Sequence, residues 1–359
     1  MMFVRLFCVT SLYMTSLWGV IQAIKIQAFN AGLFGRIDNY EERKPNIIRA
    51  LKSGDYDVMC LQEVWYGDDL AMLKEELDKS VSVYSPPLYQ EMMFFGWVKA
   101  PPCHNAKSTV ACIAWHCTTL ADNRAAFVNC AAGCGLMSKS QGCISCLAFS
   151  GLNEIFRCFD YTKREAINAP GIVLLSKKKV KSVKTVFFEP DVKQILIRAY
   201  IEAEIEDVGT VFCSHLTSND NADYYEPNLK DKYASSKDQN LADSRKLTEA
   251  ARLKNKPLIV GDLNTSPEVT AFNVTADFVG SYNHFLSEGF SSPYVTMVGK
   301  CTFCVPNPLV KGWMYNNILD HVMIRNHTVL SAKRIYDQNI PYKDYPMSDH
   351  YGVEVEIAN

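Results

Sequence analysis

The stretch "LIVGDLNTSPE" (258–268) places a carboxylate and an amide directly after an apolar run. Residues 258–260 are typical of a buried strand. Asp262 and Asn264 follow at once, in a place where an unpaired carboxylate would be costly to remove from water. We therefore expect Asp262 to meet a cation, or the positive side of a hydrogen-bond network, at the end of this strand.

Short apolar runs of the same kind recur along the chain, and two stretches with helix-like spacing, 40–54 and 235–255, lie between them. The runs at 195–205 and 351–357 alternate in part, as expected for a sheet with one covered face. This order predicts an α/β fold with two strand-rich halves. The predicted strands are 23–30, 57–64, 171–177, 195–205, 208–216, 257–264, 318–324 and 351–357.

The chain has 359 residues and is 48% hydrophobic, enough to bury a sizeable core in one large or two ordinary domains. Residues 1–23 carry Arg5 as their only charge, an apolar run and a plausible cleavage point at Ala23, which predicts a signal peptide. An uncleaved signal anchor is the alternative. The whole chain has 37 basic and 39 acidic residues, so no global basic footprint favours nucleic acid.

Thirteen cysteines are many for this length, and eight of them fall within 56 consecutive residues. In a secreted chain such a cluster predicts a disulfide framework, with 105 pairings open, and a zinc site at "CISC" (143–146) is the weaker alternative. Cys301 and Cys304 are close enough in sequence to form a local bridge. Cys60 and Cys213 lie in apolar runs, which predicts buried free thiols. The clustered cysteines are Cys103, Cys112, Cys117, Cys130, Cys134, Cys143, Cys146 and Cys158.

Around this cluster, residues 101–160 lose strand alternation and gain Pro, Gly, Ala and Cys. We interpret them as a disulfide-knotted insertion in one catalytic domain that spans 24–359. The sequons at Asn273 and Asn326 agree with secretion, whereas the sequon at Asn264 is predicted to be too buried for a glycan. The basic run 176–184 is interpreted as a solvated turn, with a phosphate-facing patch as the alternative.

Polar residues of a particular chemistry stand where the apolar runs stop. Loops at strand ends present chemistry on a rigid sheet, so these residues could converge on one site. Carboxylates are hard oxygen donors suited to Mg²⁺, and histidines can move protons or donate to a phosphoryl oxygen. Together they predict metal-assisted attack of water on a phosphate ester. The residues are Asn30, Glu63, His215, Asp262, Asn264, Asp320, His321, Asp349 and His350.

Six motifs in order resemble the endonuclease/exonuclease/phosphatase superfamily, and the resemblance covers 24–358 apart from the insertion. It implies a DNase I-like four-layered sandwich of two mixed β-sheets flanked by helices. "LQEVW" and "GIVLLSK" (171–177) are most similar to the neutral, Mg²⁺-dependent sphingomyelinases. Those enzymes carry Lys-Gly just before the strand that is similar to "GIVLLSK". This chain has Pro170-Gly171 at that place, with Lys163 and Arg164 nearby. The six motifs are "FNAGLFG" (29–35), "LQEVW" (61–65), "SHL" (214–216), "GDLN" (261–264), "LDHVMI" (319–324) and "SDHYGVEVEI" (348–357).

The resemblance implies a metal side and a proton-transfer side of one site. On the metal side Glu63 would bind the catalytic Mg²⁺, or Mn²⁺ or another divalent cation, with Asn30 beside it and Asp349 completing the metal or water network. One or two ions would suit these ligands. His321 is expected to be structural, because neighbours on a strand face opposite ways.

On the proton-transfer side the resemblance implies that His350 is the general base that deprotonates water, with Asp320 holding its imidazole in the right tautomer. Asp262 would position the water or its base. Asn264 and His215 would hydrogen-bond the pentacoordinate phosphorus. His104 and His116, in the insertion, have no predicted role.

The implied reaction is hydrolysis of sphingomyelin to ceramide and phosphocholine by a secreted, monomeric, Mg²⁺-dependent phosphodiesterase. The segment 85–102 bunches Met92, Met93, Phe94, Phe95 and Trp97, a composition suited to a membrane surface, although a core strand with a loop is the alternative. A secreted DNase I-like endonuclease is the second hypothesis. A non-catalytic binding protein on the same scaffold is the third, and the intact set of site residues argues against it.

Overall fold

The computed structural model describes residues 23–93, 96–120, 124–219 and 227–359. The predicted signal peptide lies almost wholly outside these residues, as do Phe94 and Phe95. Within the described part of the chain, no helix has the length and apolar character needed to cross a membrane.

The strands form two large mixed sheets and one small hairpin. The first large sheet has the order β12-β13-β1-β2-β6-β3, the second has the order β11-β10-β9-β8-β7, and β4 pairs with β5. The β1–β2 and β9–β10 pairs are parallel, and the other neighbours are antiparallel. The strands are β1 Ala23–Leu33, β2 Val58–Val64, β3 Ser82–Tyr84, β4 Glu91–Met93, β5 Val98–Ala100, β6 Val173–Ser176, β7 Val180–Phe187, β8 Ala199–Ile205, β9 Gly209–His215, β10 Pro257–Asp262, β11 Asp320–Ile324, β12 Val329–Ile335 and β13 Gly352–Ala358.

Helices cover the outer faces of both large sheets, which gives the four layers expected from the resemblance. Leu61 of β2 packs under the first two helices, and Phe212 of β9 packs under the sixth and seventh. The predicted helices at 40–54 and 235–255 are α1 and α6. The helices are α1 Tyr40–Ser53, α2 Gly67–Glu76, α3 Lys107–His116, α4 Arg124–Gly133, α5 Gln141–Glu154, α6 Ser236–Arg252, α7 Val279–Ser287 and α8 Pro293–Met297.

The inner faces of the two sheets pack together through aliphatic residues such as Ile26 of β1 and Val260 of β10. Cys60 of β2 and Cys213 of β9 both point into this layer and form a disulfide, with Cα atoms 5.4 Å apart. The prediction of two free thiols is therefore wrong. Strand periodicity shows that each residue is buried, but only the stacking of the sheets brings together two cysteines 153 residues apart.

The cysteine-rich segment folds as α3, α4 and α5 and carries four internal disulfides. Its Phe149 joins the hydrophobic core on the outer face of the first sheet, so the segment packs against the body of the protein. Both cysteines of "CISC" are oxidised, which removes the zinc alternative. Cys301 and Cys304 form the predicted local bridge. The internal pairs are Cys103–Cys143, Cys112–Cys134, Cys117–Cys130 and Cys146–Cys158.

One departure from the predicted elements lies at a sheet edge. Much of the basic run 176–184 belongs to β7, an exposed edge strand, and only 177–179 lie between strands. Charged residues on an edge strand oppose pairing with other chains, and they hide the apolar alternation on which the prediction depends. The run does not line the pocket described below. The sequons at Asn273 and Asn326 are exposed, and Asn264 is buried as expected.

Candidate active site

The strand directions bring the candidate residues to one end of the sandwich. In the first sheet Asn30 of β1 is in register with Gln62, the neighbour of Glu63 on β2. In the second sheet Asp262 at the end of β10 is in register with His215 and with Asp320. Parallel strands end together, and an antiparallel neighbour begins where they end, so both sheets present polar residues at the same edge.

A cavity of about 260 Å³ opens at this edge and is lined by side chains from both sheets, including Glu63, His215, Asp262, Asp349 and His350. Asn264 also lines it. Asn30 and Asp320 lie directly behind this wall, hydrogen-bonded to residues that line it. The structure thus brings every candidate residue named above into one site, except His321. That histidine bonds Ser292 and the backbone of Thr265 on the other face of β11.

His350 and Asp320 form a buried hydrogen-bonded pair. His350 Nδ1 lies 2.9 Å from Asp320 Oδ2, and the ring centroids of His350 and Phe303 are 4.8 Å apart. The backbone N–H of Asp320 donates to Thr302 Oγ1, which fixes the strand. Burial lowers the pKa of His350, but the carboxylates of Asp320 and Asp262 outweigh burial and hold that pKa well above its usual value. The pairing leaves Nε2 facing Asp262.

Asp262 lies between the two sides of the site. Its Oδ2 accepts from Asn30 Nδ2 at 2.9 Å, and its Oδ1 accepts from the backbone N–H of Asn264 at 3.0 Å. The same Oδ2 is 3.5 Å from His215 Nε2 and 3.8 Å from His350 Nε2. Burial, above all, raises the pKa of Asp262 to about 7. The expectation that Asp262 meets the positive side of a hydrogen-bond network agrees with these contacts.

Glu63 sits at the end of β2 with a left-handed backbone, φ 60°, which is uncommon for a residue with a side chain. Burial and the nearby charge of Asp349 raise the pKa of Glu63 to about 8, whereas a hydrogen bond from Asn30 opposes this. Asp349 Oδ1 in turn lies 3.1 Å from Ser348 Oγ. Carboxylates crowded in this way would be stabilised by a cation among them.

These oxygen donors fit a divalent cation such as Mg²⁺ or Mn²⁺, held by Glu63 with Asn30 and Asp349 near it. Asp262, Asp320 and His350 also have donor atoms within 4.8 Å of one another. In that second group Asp320 Oδ2 is already hydrogen-bonded to His350 Nδ1, an arrangement suited to proton transfer. Cys117, Cys130 and Cys134 also cluster, but all three are in disulfides.

His215 and Asn264 form the opposite wall. Burial lowers the pKa of His215 to well below its usual value, with the charges of Arg198 and His350 acting in the same direction, so its imidazole is neutral. Among the described residues, His215 Nδ1 has no hydrogen-bond partner. Asn264 Nδ2 donates to the backbone of Leu216 at 2.9 Å, which fixes its amide beside Asp262. A neutral imidazole and an amide can both donate to a phosphoryl oxygen.

Aromatic residues that sequence reasoning did not assign also line the cavity. Trp65 and Phe149 stack with centroids 3.9 Å apart on the His215 side, and Phe303 and Trp313 meet edge to face at 6.1 Å beside His350. "LQEVW" contained a signal for Trp65. No local signal marks Phe149, because it reaches the site from the insertion. Lys163 and Arg164 are exposed and do not line the cavity.

The fold that carries this site is shared with known proteins. The sequence model described as the Endonuclease/Exonuclease/phosphatase family matches residues 28–350. A search of curated proteins finds no match. Among solved structures, D. rerio TDP2 complexed with single strand DNA product is 11% identical with a TM-score of 0.53, covering 94% of this chain and 99% of that one.

Two further solved structures are similar over 94% of this chain and 100% of their own. The 3′ phosphatase NExo from Neisseria, bound to a product DNA hairpin, is 12% identical with a TM-score of 0.52. A family protein from Leptotrichia buccalis is 15% identical with a TM-score of 0.51. Identities this low establish a common fold only. With the family match over most of its length, the chain belongs to the endonuclease/exonuclease/phosphatase family, whose members are hydrolases of phosphodiester bonds and generally depend on divalent metals.

Proposed function

We propose that this protein is a secreted, Mg²⁺-dependent phosphodiesterase of sphingomyelinase type, which releases phosphocholine and leaves ceramide. The observation that carries the proposal is one cavity lined by Glu63, Asp262 and His350, with Asp320 hydrogen-bonded to His350 behind its wall. A metal-binding carboxylate and a base held by a second carboxylate are what hydrolysis of a phosphate ester requires.

In the proposed reaction, water attacks phosphorus as His350 Nε2 accepts one of its protons. The bond from phosphorus to the ceramide oxygen breaks, and that oxygen takes up a proton from solvent as ceramide leaves. Asp320 keeps the Nδ1 proton in place and stabilises the imidazolium that forms. Asn264 and neutral His215 donate to the phosphoryl oxygens. The chemistry that a bound divalent cation supplies here is polarisation of those oxygens, with a positive charge that disfavours protonation of His350.

A choline head group is supported by the aromatic walls. A quaternary ammonium is attracted to the faces of Trp and Phe rings within about 6 Å. Phe303 and Trp313 lie on the His350 side of the cavity, and Trp313 Nε1 donates to Asn317 Oδ1 at 2.8 Å, which fixes the indole ring. These rings give the cavity an aromatic surface of the kind that binds a quaternary ammonium.

Secretion and membrane contact belong to the same proposal. Six disulfides in the described residues suit an oxidising compartment. In segment 85–102, Trp97 next to the β4–β5 hairpin is 86% exposed and Met92 is 42% exposed, as contact with a lipid surface would need. Weaker binding of the Trp97→Asp protein to sphingomyelin vesicles would support this contact, and unchanged binding would exclude it.

The second candidate is a secreted nuclease of the same fold. It is favoured by the cationic residues that line the cavity beside the carboxylates, namely Arg36, Arg198 and Lys311. Both enzymes would use the same catalytic groups, so only the substrate separates them.

The test is one assay with purified protein on sphingomyelin, phosphatidylcholine, lysolipid and supercoiled plasmid, with and without EDTA. We expect EDTA-sensitive release of phosphocholine from sphingomyelin, and its loss in the His350→Ala protein. Plasmid nicking without phosphocholine release would establish the nuclease instead. Folded protein that hydrolyses none of the four substrates in the presence of metal would favour the third hypothesis, a non-catalytic binding protein.

A further inference from the structure

Arg43 on α1 is the largest of the fully buried side chains, and its guanidinium forms no ion pair with any residue that the structure describes. It donates instead to backbone carbonyls. Nη2 lies 2.7 Å from the oxygen of Gly32, Nη1 lies 2.9 Å from that of Met347, and Nε lies 2.9 Å from that of Asp38. A buried charge without a carboxylate partner is costly, which calls for an explanation.

The carbonyls at Gly32 and Met347 belong to the two segments that carry the candidate metal ligands. Gly32 follows Asn30 at the end of β1, and Met347 comes two residues before Asp349. The segments touch directly, because a Cβ atom added at Gly32, which has φ 53°, would lie 2.9 Å from Asp349 Oδ1. Ser348 Oγ adds a second tie by donating to the backbone oxygen of Asn30 at 2.8 Å.

The charge of Arg43 also interacts with carboxylates of the site. Burial lowers the pKa of its guanidinium, and the carboxylates of Asp349 and Glu63 act in the opposite direction. A fixed positive charge beside these carboxylates would by itself oppose metal binding, so Arg43 can support the metal only through the position that it gives to the two segments. Its planar fork reaches carbonyls of both segments at once, which the single ammonium of a lysine cannot reproduce.

We propose that Arg43 is a positioning residue that holds Asn30 and Asp349 at the spacing needed to bind the divalent cation. This proposal rests on the metal site of the proposed function. Groups behind metal ligands typically change metal affinity by about 10–100-fold when they are lost.

The experiment measures Mn²⁺ binding by isothermal titration calorimetry on folded wild-type, Arg43→Lys and Arg43→Met proteins, alongside kcat and KM. We expect the Kd for Mn²⁺ to rise about 10–100-fold in both variants. The matched control is Lys44→Met. Lys44 is the adjacent buried cation of α1 and pairs with Asp69 at 2.5 Å, away from the cavity, so its loss should lower stability and leave the Mn²⁺ affinity unchanged.

A folded Arg43→Lys protein that binds Mn²⁺ as tightly as wild type would overturn the proposal while the metal site itself stands. Wild-type protein that binds no Mn²⁺ would instead refute the proposed function. If neither Arg43 variant folds, Ser348→Ala decides, because it removes the other tie between the same segments. Weaker Mn²⁺ binding in Ser348→Ala would support the coupling of the segments, and wild-type affinity would contradict it.

Discussion

The substitution Asp320→Asn changes the proton-transfer pair with the smallest change in shape. It keeps the volume of the side chain and removes the charge that is bonded to His350 Nδ1 at 2.9 Å. The backbone bond from Asp320 to Thr302 Oγ1 is unaffected, so the fold should survive. Two effects should follow, a slower reaction and a shifted pH profile.

The expected decrease in kcat can be estimated from the hydrogen bond that is lost. A hydrogen bond to a charged group contributes about 1.5–3 kcal/mol, and its loss as the imidazolium forms slows the reaction about 10–150-fold. The amide introduced by Asp320→Asn can also donate a hydrogen bond to Nδ1, which favours the tautomer with its proton on Nε2. In that tautomer Nε2 cannot accept a proton from water, so the loss can approach the whole contribution of general base catalysis. We therefore expect kcat to fall about 10²–10⁴-fold. KM should change little, because Asp320 lies behind His350 and away from the substrate.

The direction in which the pH–rate profile shifts follows from the effect of Asp320 on the pKa of His350. The carboxylate of Asp320 is one of the groups that raise the pKa of His350. Removing this charge lowers the pKa, so the acid limb of the profile should move to lower pH while the plateau falls. The assay is phosphocholine release across the range from about pH 5 to 8, in which histidine normally titrates, at saturating Mg²⁺.

The control is Asp337→Asn, which removes a carboxylate that pairs with Arg334 at 3.1 Å and does not line the cavity. It should keep the wild-type profile. The double variant Asp320→Asn/His350→Ala should be little slower than His350→Ala alone, because the two residues act as a unit. Wild-type turnover in folded Asp320→Asn protein, or an acid limb that moves to higher pH, would refute the assignment of this pair.

Three further predictions concern stability and metal. Replacing Cys60 and Cys213 by Ala removes a disulfide between residues 153 apart, and the chain-entropy relation gives a loss of about 5 kcal/mol in the free energy of unfolding. For Cys301 and Cys304, which are three residues apart, the same relation gives about 2 kcal/mol. Urea titration without reductant compares the two double variants, and equal midpoints would contradict the estimate. Gly171→Ala should destabilise the fold by about 1–3 kcal/mol, because its φ is 66° and the new Cβ would lie 2.4 Å from the Trp65 ring. Gly280→Ala, where nothing lies within 4 Å, is its control, and a similar melting temperature for both variants would count against the close approach. Divalent metal at about 100 times its Kd should stabilise wild-type protein by about 2.7 kcal/mol and raise its melting temperature, whereas Glu63→Gln should show little response. An undiminished response in Glu63→Gln would remove Glu63 from the metal ligands.

The candidate site is the part of the structure that could be predicted best from the sequence. Asn30, Glu63, His215 and Asp262 each follow an apolar run, and parallel pairing within each sheet brings the ends of those runs together. A change from apolar to polar residues shows where each strand ends, and the topology of the sheets brings these ends together. The order of motifs was therefore enough to anticipate which residues meet.

What could not be predicted depends on contacts between segments far apart in the chain. The Cys60–Cys213 disulfide forms only because the two sheets pack with β2 facing β9. Strand periodicity predicts which residues are buried, but it does not predict how two sheets pack against each other. Arg43 reads as one more charged residue on an amphipathic helix, because its partners are backbone carbonyls of other segments. Phe149 is hidden for the same reason, since only the folded insertion carries it to Trp65.

We propose that Glu63 and His350 serve one divalent-metal centre. The most direct measurement is anomalous diffraction from crystals of the active protein soaked in Mn²⁺. We expect a strong peak in contact with the Glu63 carboxylate, in the same cavity as the His350 imidazole. A fully occupied peak elsewhere in the molecule, with none beside Glu63, would contradict it.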